Sequence, residues 1–105
     1  MKLAVTAKEP SLDAAIDPRF GRCAFFVLIE TDGMKVQGIQ NPYVTASGAA
    51  GTRSAQLLID NEVECLLTGR CGPNAQEALA AAGIEVVTDC HGSVADAVAA
   101  YRSGQ

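Results

Sequence analysis

Positive charge is scarce in this sequence: eight Lys and Arg, dispersed along the chain, stand against twelve Asp and Glu, for a net charge of −4. Grips on nucleic acid and on anionic membrane surfaces draw their strength from many clustered cations, so the composition argues against both as partners. Long apolar runs are missing too. The longest stretches are strand-sized, too short to cross a bilayer as a helix. Residues 1–7 lack the charged head and extended apolar core of an export signal, which predicts a cytoplasmic protein. The four cysteines include no Cys-x-x-Cys pair, so the short-spacing zinc signature is absent. There is no Gly-Lys-Ser/Thr phosphate loop. No carboxylate lies between Lys2 and Lys8 in the first apolar run, which argues against a two-metal nuclease site of the ribonuclease H kind.

What remains is one small α/β domain. A chain of 105 residues can bury a single core, and no repeat, linker or low-complexity tract divides it, so one domain is expected over residues 1–105. Residues 3–7 read as a strand, and residues 8–22, rich in Pro, Asp and Gly, fit neither helix nor strand periodicity. Residues 24–30 and 35–40 flank Asp32-Gly33 and read as a hairpin. A helix over residues 52–61 carries Ala55, Leu58 and Ile59 on one stripe, followed by a strand at residues 63–67. Pro73 suits the first turn of a second helix that stops at Gly83, since its missing donor is not needed there. Residues 84–88 read as a fifth strand. The last helix starts with Ser93 as cap and Asp96 three residues on, a weaker form of the capping box.

This order predicts a five-stranded mixed sheet with about three helices. Strands one, four and five run parallel through right-handed crossovers, and strand two is antiparallel. Cys23 then precedes strand two, Cys71 follows strand four, and Cys90-His91 follows strand five. All sit on the carboxyl-end edge, where open α/β sheets place their ligands. Thiolates suit soft metals and metal-sulfur clusters, so Cys23, Cys71, Cys90 and His91 are the expected metal ligands. Cys65, in the middle of an apolar strand, reads as a core residue. Gly48 and Gly51, ahead of the first helix, allow an anion to approach its amino terminus, with Arg53 adding charge.

Three segments carry a family resemblance. Asp17-Pro18-Arg19-Phe20-Gly21-Arg22, then Ala46-Ser47-Gly48-Ala49-Ala50-Gly51-Thr52-Arg53-Ser54-Ala55, and Gly72-Pro73-Asn74-Ala75 ahead of Ala82-Gly83-Ile84 resemble, in order and separation, the dinitrogenase iron-molybdenum cofactor biosynthesis family. The resemblance covers nearly the whole chain. It implies a ribonuclease H-like fold and a binding, carrier or scaffold role, not an enzymatic one, for metal-sulfur clusters. These include nitrogenase cofactor precursors and a molybdenum-copper sulfide cluster. It also implies donor and acceptor proteins as partners. Two departures stand out: Arg19 occupies a place where nitrogenase-linked members often have His, and Cys23 and Cys71 stand where many members have a small residue.

Together these readings give an expected site. Arg19, Phe20, Gly21, Arg22, Gly48, Gly51 and Arg53 shape and neutralise it, and the thiols of Cys23, Cys71 and Cys90, with His91, hold an iron-sulfur cluster or a molybdenum-containing one. Three thiolates leave a cubane one ligand short, so a homodimer sharing the cluster is a corollary. The alternatives are a structural zinc domain built on the same four residues and a thiol redox protein using Cys71.

Overall fold

A computed structural model describes residues 1–44 and 50–104. Eight elements alternate as expected: β1 (Lys2–Ala7), β2 (Phe25–Glu30), β3 (Lys35–Gln40), α1 (Ala50–Asp60), β4 (Cys65–Leu67), α2 (Pro73–Ala81), β5 (Glu85–Val87) and α3 (Val94–Ser103). The sheet order is β3-β2-β1-β4-β5. β2 pairs antiparallel with both β1 and β3, while β4 runs parallel to β1 and β5 parallel to β4. This is the mixed five-stranded sheet with three helices read from the sequence, and it is compatible with a ribonuclease H-like motif.

The strand pattern sorts the core into two clusters, because successive side chains point to opposite faces. Leu3, Val5, Val27, Ile29, Cys65 and Leu67 meet Val94, Ala97 and Val98 of α3 on one face. Ala4, Phe26, Leu28 and Leu66 meet Ala55 and Leu58 of α1 and Ala75 and Leu79 of α2 on the other. Two helices therefore cover one face and a single helix the other.

Boundaries shift modestly. α1 starts at Ala50, two residues earlier than the apolar stripe indicates, and β4 is three residues long, not five. Val63 is drawn off into the α1/α2 cluster. The loop over residues 8–22, without periodicity in the sequence, is tied to the body at three points. Ala7 bridges Ile16, Ala15 bridges Ser93, and Arg19 bridges Arg70. The last is closed by Arg70 N–H donating to Pro18 O at 2.7 Å and Phe20 N–H donating to Arg70 O at 3.0 Å.

Beneath that strap lies a buried polar knot. The Thr6 hydroxyl donates to the Asp17 carbonyl at 2.7 Å and lies 2.8 Å from the Thr68 hydroxyl. Buried hydroxyls persist only when so satisfied.

Candidate functional site

The parallel strands β1, β4 and β5 all end at one edge of the sheet, and β2 begins there, so Cys23, Cys71 and Cys90-His91 do lie along a common rim in the backbone. The side chains divide between the two faces. Cys23 belongs to the α1/α2 cluster and Cys71 packs against it. Cys90 packs against the α3 cluster, which also contains Cys65. Among the described residues, no three Cys, His, Asp or Glu side chains group closely enough to hold one metal ion. Cys23, Cys71, Cys90 and His91 therefore do not form a common ligand set within the chain. The physical reason is the sheet itself, which separates thiols that the rim brings level.

Each thiol has its own setting. Cys23 is fully buried, and Asn41 Nδ2 donates to the Gly21 carbonyl at 3.1 Å, to the Cys23 carbonyl at 2.9 Å and toward Cys23 Sγ at 3.8 Å. Burial, reinforced by the nearby Asp17 charge, pushes its thiol up to about 12. Such a group stays protonated and acts as core. Cys65 is likewise enclosed, and burial lifts it to about 11. Cys90, half-buried, donates to the Val87 carbonyl at 3.7 Å, and burial raises it too. His91 is exposed beside Gly92. Cys71 is half-buried at the start of α2, and desolvation alone raises its thiol.

Next to Cys71 the structure brings together what the sequence held apart. Phe20, Gly51, Thr52, Gly72, Pro73, Asn74 and Ala75 line a cleft of about 210 Å³ into which α1 and α2 both begin. Gly72 is the N-cap of α2 in extended conformation, with no side-chain cap, and Pro73 has no donor to offer. The first-turn N–H groups at Asn74 and Ala75 have no intrahelical partner, which leaves an uncapped donor end facing the cleft. Gly21, directly after Phe20 of the lining, runs close against the backbone of α1. A side chain there would sit 3.0 Å from the Gly51 Cα and N atoms.

Arg19, Arg22 and Arg53 do not line this cleft, and each has its own partner. Arg19 is 67% exposed in its side chain, and its Nε and backbone N–H both donate to Asp17 Oδ1, at 3.3 and 3.1 Å. Asp17 itself is buried, so a fixed anion holds Arg19 by one side. Arg22 Nη1 donates to the Val44 carbonyl at 2.9 Å, and the Arg53 guanidinium lies 6.0 Å from the Tyr43 ring centre. Gly48 lies outside the described residues.

Arg70 and Asn41 are not among the residues the sequence singles out, whereas Asp17 is, as a loop carboxylate able to pair with Arg19 or Arg22, and its hold on Arg19 is present. Arg70 pairs with Arg19 across a parallel bridge, which sets two cations side by side at the rim. Its position directly before Cys71, at a strand end, was the available signal. The hold of Asn41 on the Gly21 and Cys23 carbonyls had no sequence signal, since it depends on a contact across eighteen residues.

Comparison with known proteins identifies the family. The family model for the dinitrogenase iron-molybdenum cofactor matches residues 1–104. The apo form of the orange protein from Desulfovibrio gigas is 43% identical and superimposes with a TM-score of 0.95, over 99% of this chain and 88% of that one. A NifB candidate of the DUF35 family from Thermotoga, solved by NMR, is 30% identical with a TM-score of 0.85, over 98% of this chain and 88% of that one. The uncharacterized protein MJ0580 of Methanocaldococcus jannaschii is 25% identical over 93 residues, 86% of this chain and 79% of that protein. With the family model matched over almost its whole length, the chain belongs to the dinitrogenase iron-molybdenum cofactor family.

Proposed function

We propose that the chain binds and carries a metal-sulfur cluster as cargo in the cleft between Phe20-Gly21 and the beginnings of α1 and α2. The observation that carries this reading is the convergence of two helix amino termini on one cleft, one of them without a side-chain cap and with the half-buried Cys71 directly before its N-cap Gly72. Inorganic sulfide clusters are anionic, and helix starts present N–H donors and positive dipole ends to anions. Arg19 and Arg70 add charge at the rim. Cys71 supplies one metal-sulfur bond. Metal binding displaces its proton, which offsets the cost of ionising a desolvated thiol.

This donor set favours a cluster whose own sulfides fill most of the coordination sphere, such as a molybdenum-copper sulfide or an iron-molybdenum precursor. An iron-sulfur cubane wants four protein thiolates, and the cleft has one nearby. A structural zinc site loses support for the same reason, since no three ligands group among the described residues. Carriage, not catalysis, is the role we infer, with cargo received from and passed to protein partners in a reducing cytoplasm where the four thiols stay free. Two copies sharing one cluster would bring two Cys71 thiolates to it, and the ratio of molybdenum to chain reports this directly.

The deciding experiment is anaerobic purification with metal analysis and visible spectroscopy. Wild type is expected to hold a coloured sulfide cargo, and Cys71→Ala to lose most of it while remaining folded. Equal metal and colour in both would overturn the role of Cys71, and zinc as the sole metal would overturn the cargo reading.

A further inference from the structure

A second, larger cavity lies on the other face of the sheet, away from the cleft of the α1 and α2 starts. About 770 Å³ opens between β5 and α3, within the range of roughly 300–1,000 Å³ usual for small-molecule sites. Its origin is the uneven covering of the sheet. α3 packs chiefly over β1, and among the described residues no second helix follows it across β4 and β5 on that face. The floor is therefore apolar: Leu67, Val87, Ala97 and Ala100. Tyr101 forms a wall, its hydroxyl donating to Glu85 Oε1 at 2.8 Å.

Charge at the rim has one sign. Glu85, Asp89 and Asp96 line the cavity together with the imidazole of His91, and among the described residues no Lys or Arg does. Two of these carboxylates are engaged. Glu85 accepts from Tyr101, and Asp96 Oδ2 accepts from the Ser93 N–H at 3.2 Å, where the start of α3 also offsets its charge. Asp89 is different. Its backbone is fixed, with φ at 62° and its N–H donating to the Gly69 carbonyl at 2.8 Å, yet its carboxylate makes no hydrogen bond or ion pair among the described residues. A rigidly mounted free anion stands beside an apolar cavity.

We propose that this cavity binds a small organic cation, with an apolar body on Leu67, Val87 and Ala97 and its ammonium group on Asp89. An anion faces Glu85, Asp89 and Asp96 against the single imidazole of His91, and a neutral apolar molecule leaves Asp89 without a partner. The site is independent of the cluster cleft, so loading one is not expected to require the other.

The test is an amide NMR titration of the full chain with three probes of one skeleton: phenethylammonium, 2-phenylethanol and phenylacetate. The ammonium probe is expected to give saturable shifts confined to residues 85–92 and 97–101. The alcohol should bind about fivefold more weakly, the scale of one exposed charge pair, and the carboxylate not at all. Asp89→Asn, which tolerates the same backbone angle, should reduce ammonium binding to the alcohol's level. Ala100→Leu, at an exposed helical position, should fill the cavity and abolish the shifts while leaving the rest of the spectrum in place. Equal binding of the three probes, or unchanged ammonium affinity in Asp89→Asn, would overturn the proposal. So would shifts in these residues that follow protein concentration alone, since the face would then be a surface for a second copy.

Discussion

Gly21 runs against Gly51 so closely that a methyl group on Gly21 would lie 3.0 Å from two backbone atoms of its neighbour. Gly21 also has φ at 91°, a conformation that side chains rarely adopt. Gly21→Ala is therefore expected to destabilise the fold by about 2–3 kcal/mol, the sum of a strained backbone and a clash that only main-chain movement relieves. Gly51→Ala is the informative contrast. Its new methyl meets Ala75 Cβ at 3.5 Å, an ordinary contact, and alanine is preferred in a helix by about 1 kcal/mol. Urea unfolding should find Gly51→Ala as stable as wild type or slightly more so, while metal analysis finds less cargo in its narrowed cleft.

The Thr6–Thr68 pair, buried and 2.8 Å apart, predicts strong coupling. Thr6→Val removes the donor to the Asp17 carbonyl and strands Thr68, at a cost of about 2 kcal/mol. Thr68→Val should cost less, because Thr6 keeps its bond to Asp17. A double-mutant cycle by denaturant unfolding is expected to show the double variant less destabilised than the sum of the singles, and strict additivity would mean that the hydroxyls do not depend on one another.

Alkaline pH should unfold the protein through its core thiols. Cys23 has its thiol raised from an ordinary 9.0 to about 12, mainly by burial, and Cys65 to about 11. The folded state holds these protons more tightly than the unfolded chain does. The stabilisation is complete below pH 9 and is lost as pH climbs from 9 toward 12, by up to about 1.4 kcal/mol per pH unit for Cys23. Urea midpoints measured at pH 7, 9 and 10.5 should fall over the last interval. Cys23→Ala, less stable at neutral pH, should show a shallower fall, and parallel curves would refute the assignment.

α3 depends on a reciprocal cap: Asp96 N–H donates to Ser93 Oγ at 3.0 Å, and Ser93 N–H donates to Asp96 Oδ2 at 3.2 Å. Ser93→Ala should cost about 1 kcal/mol. Hydrogen exchange is expected to accelerate first in the opening turn of α3 and at Ala15, which bridges Ser93, with little change at α2.

Much of the architecture was legible because it rests on short-range chemistry. Asp32-Gly33 announced the hairpin, Pro73 the start of α2, and Ser93 with Asp96 the cap of α3, each through interactions within a few residues. The loop over residues 8–22 was not legible, since its order comes from bridges to Ser93 and Arg70, far along the chain, and from the fit of Pro18 against Gly69, where a side chain would lie 2.6 Å from the Pro18 Cα. Arg70 was missed for the same reason. Its meaning comes from Arg19 beside it in space.

The sequence by itself determined the elements, their alternation, the family, and the rim on which Cys23, Cys71, Cys90 and His91 fall, because periodicity, caps and turn residues act locally and the crossover rule orders the strands. Tertiary structure alone decided which of those residues share a surface. A strand sends its neighbours to opposite sides, and the bends that follow strand ends obey no such count, so the faces are settled only when helices pack. That packing set Cys71 against the core under α1 and α2, buried Cys23 among the same apolar side chains, and left Cys90 across the sheet under α3.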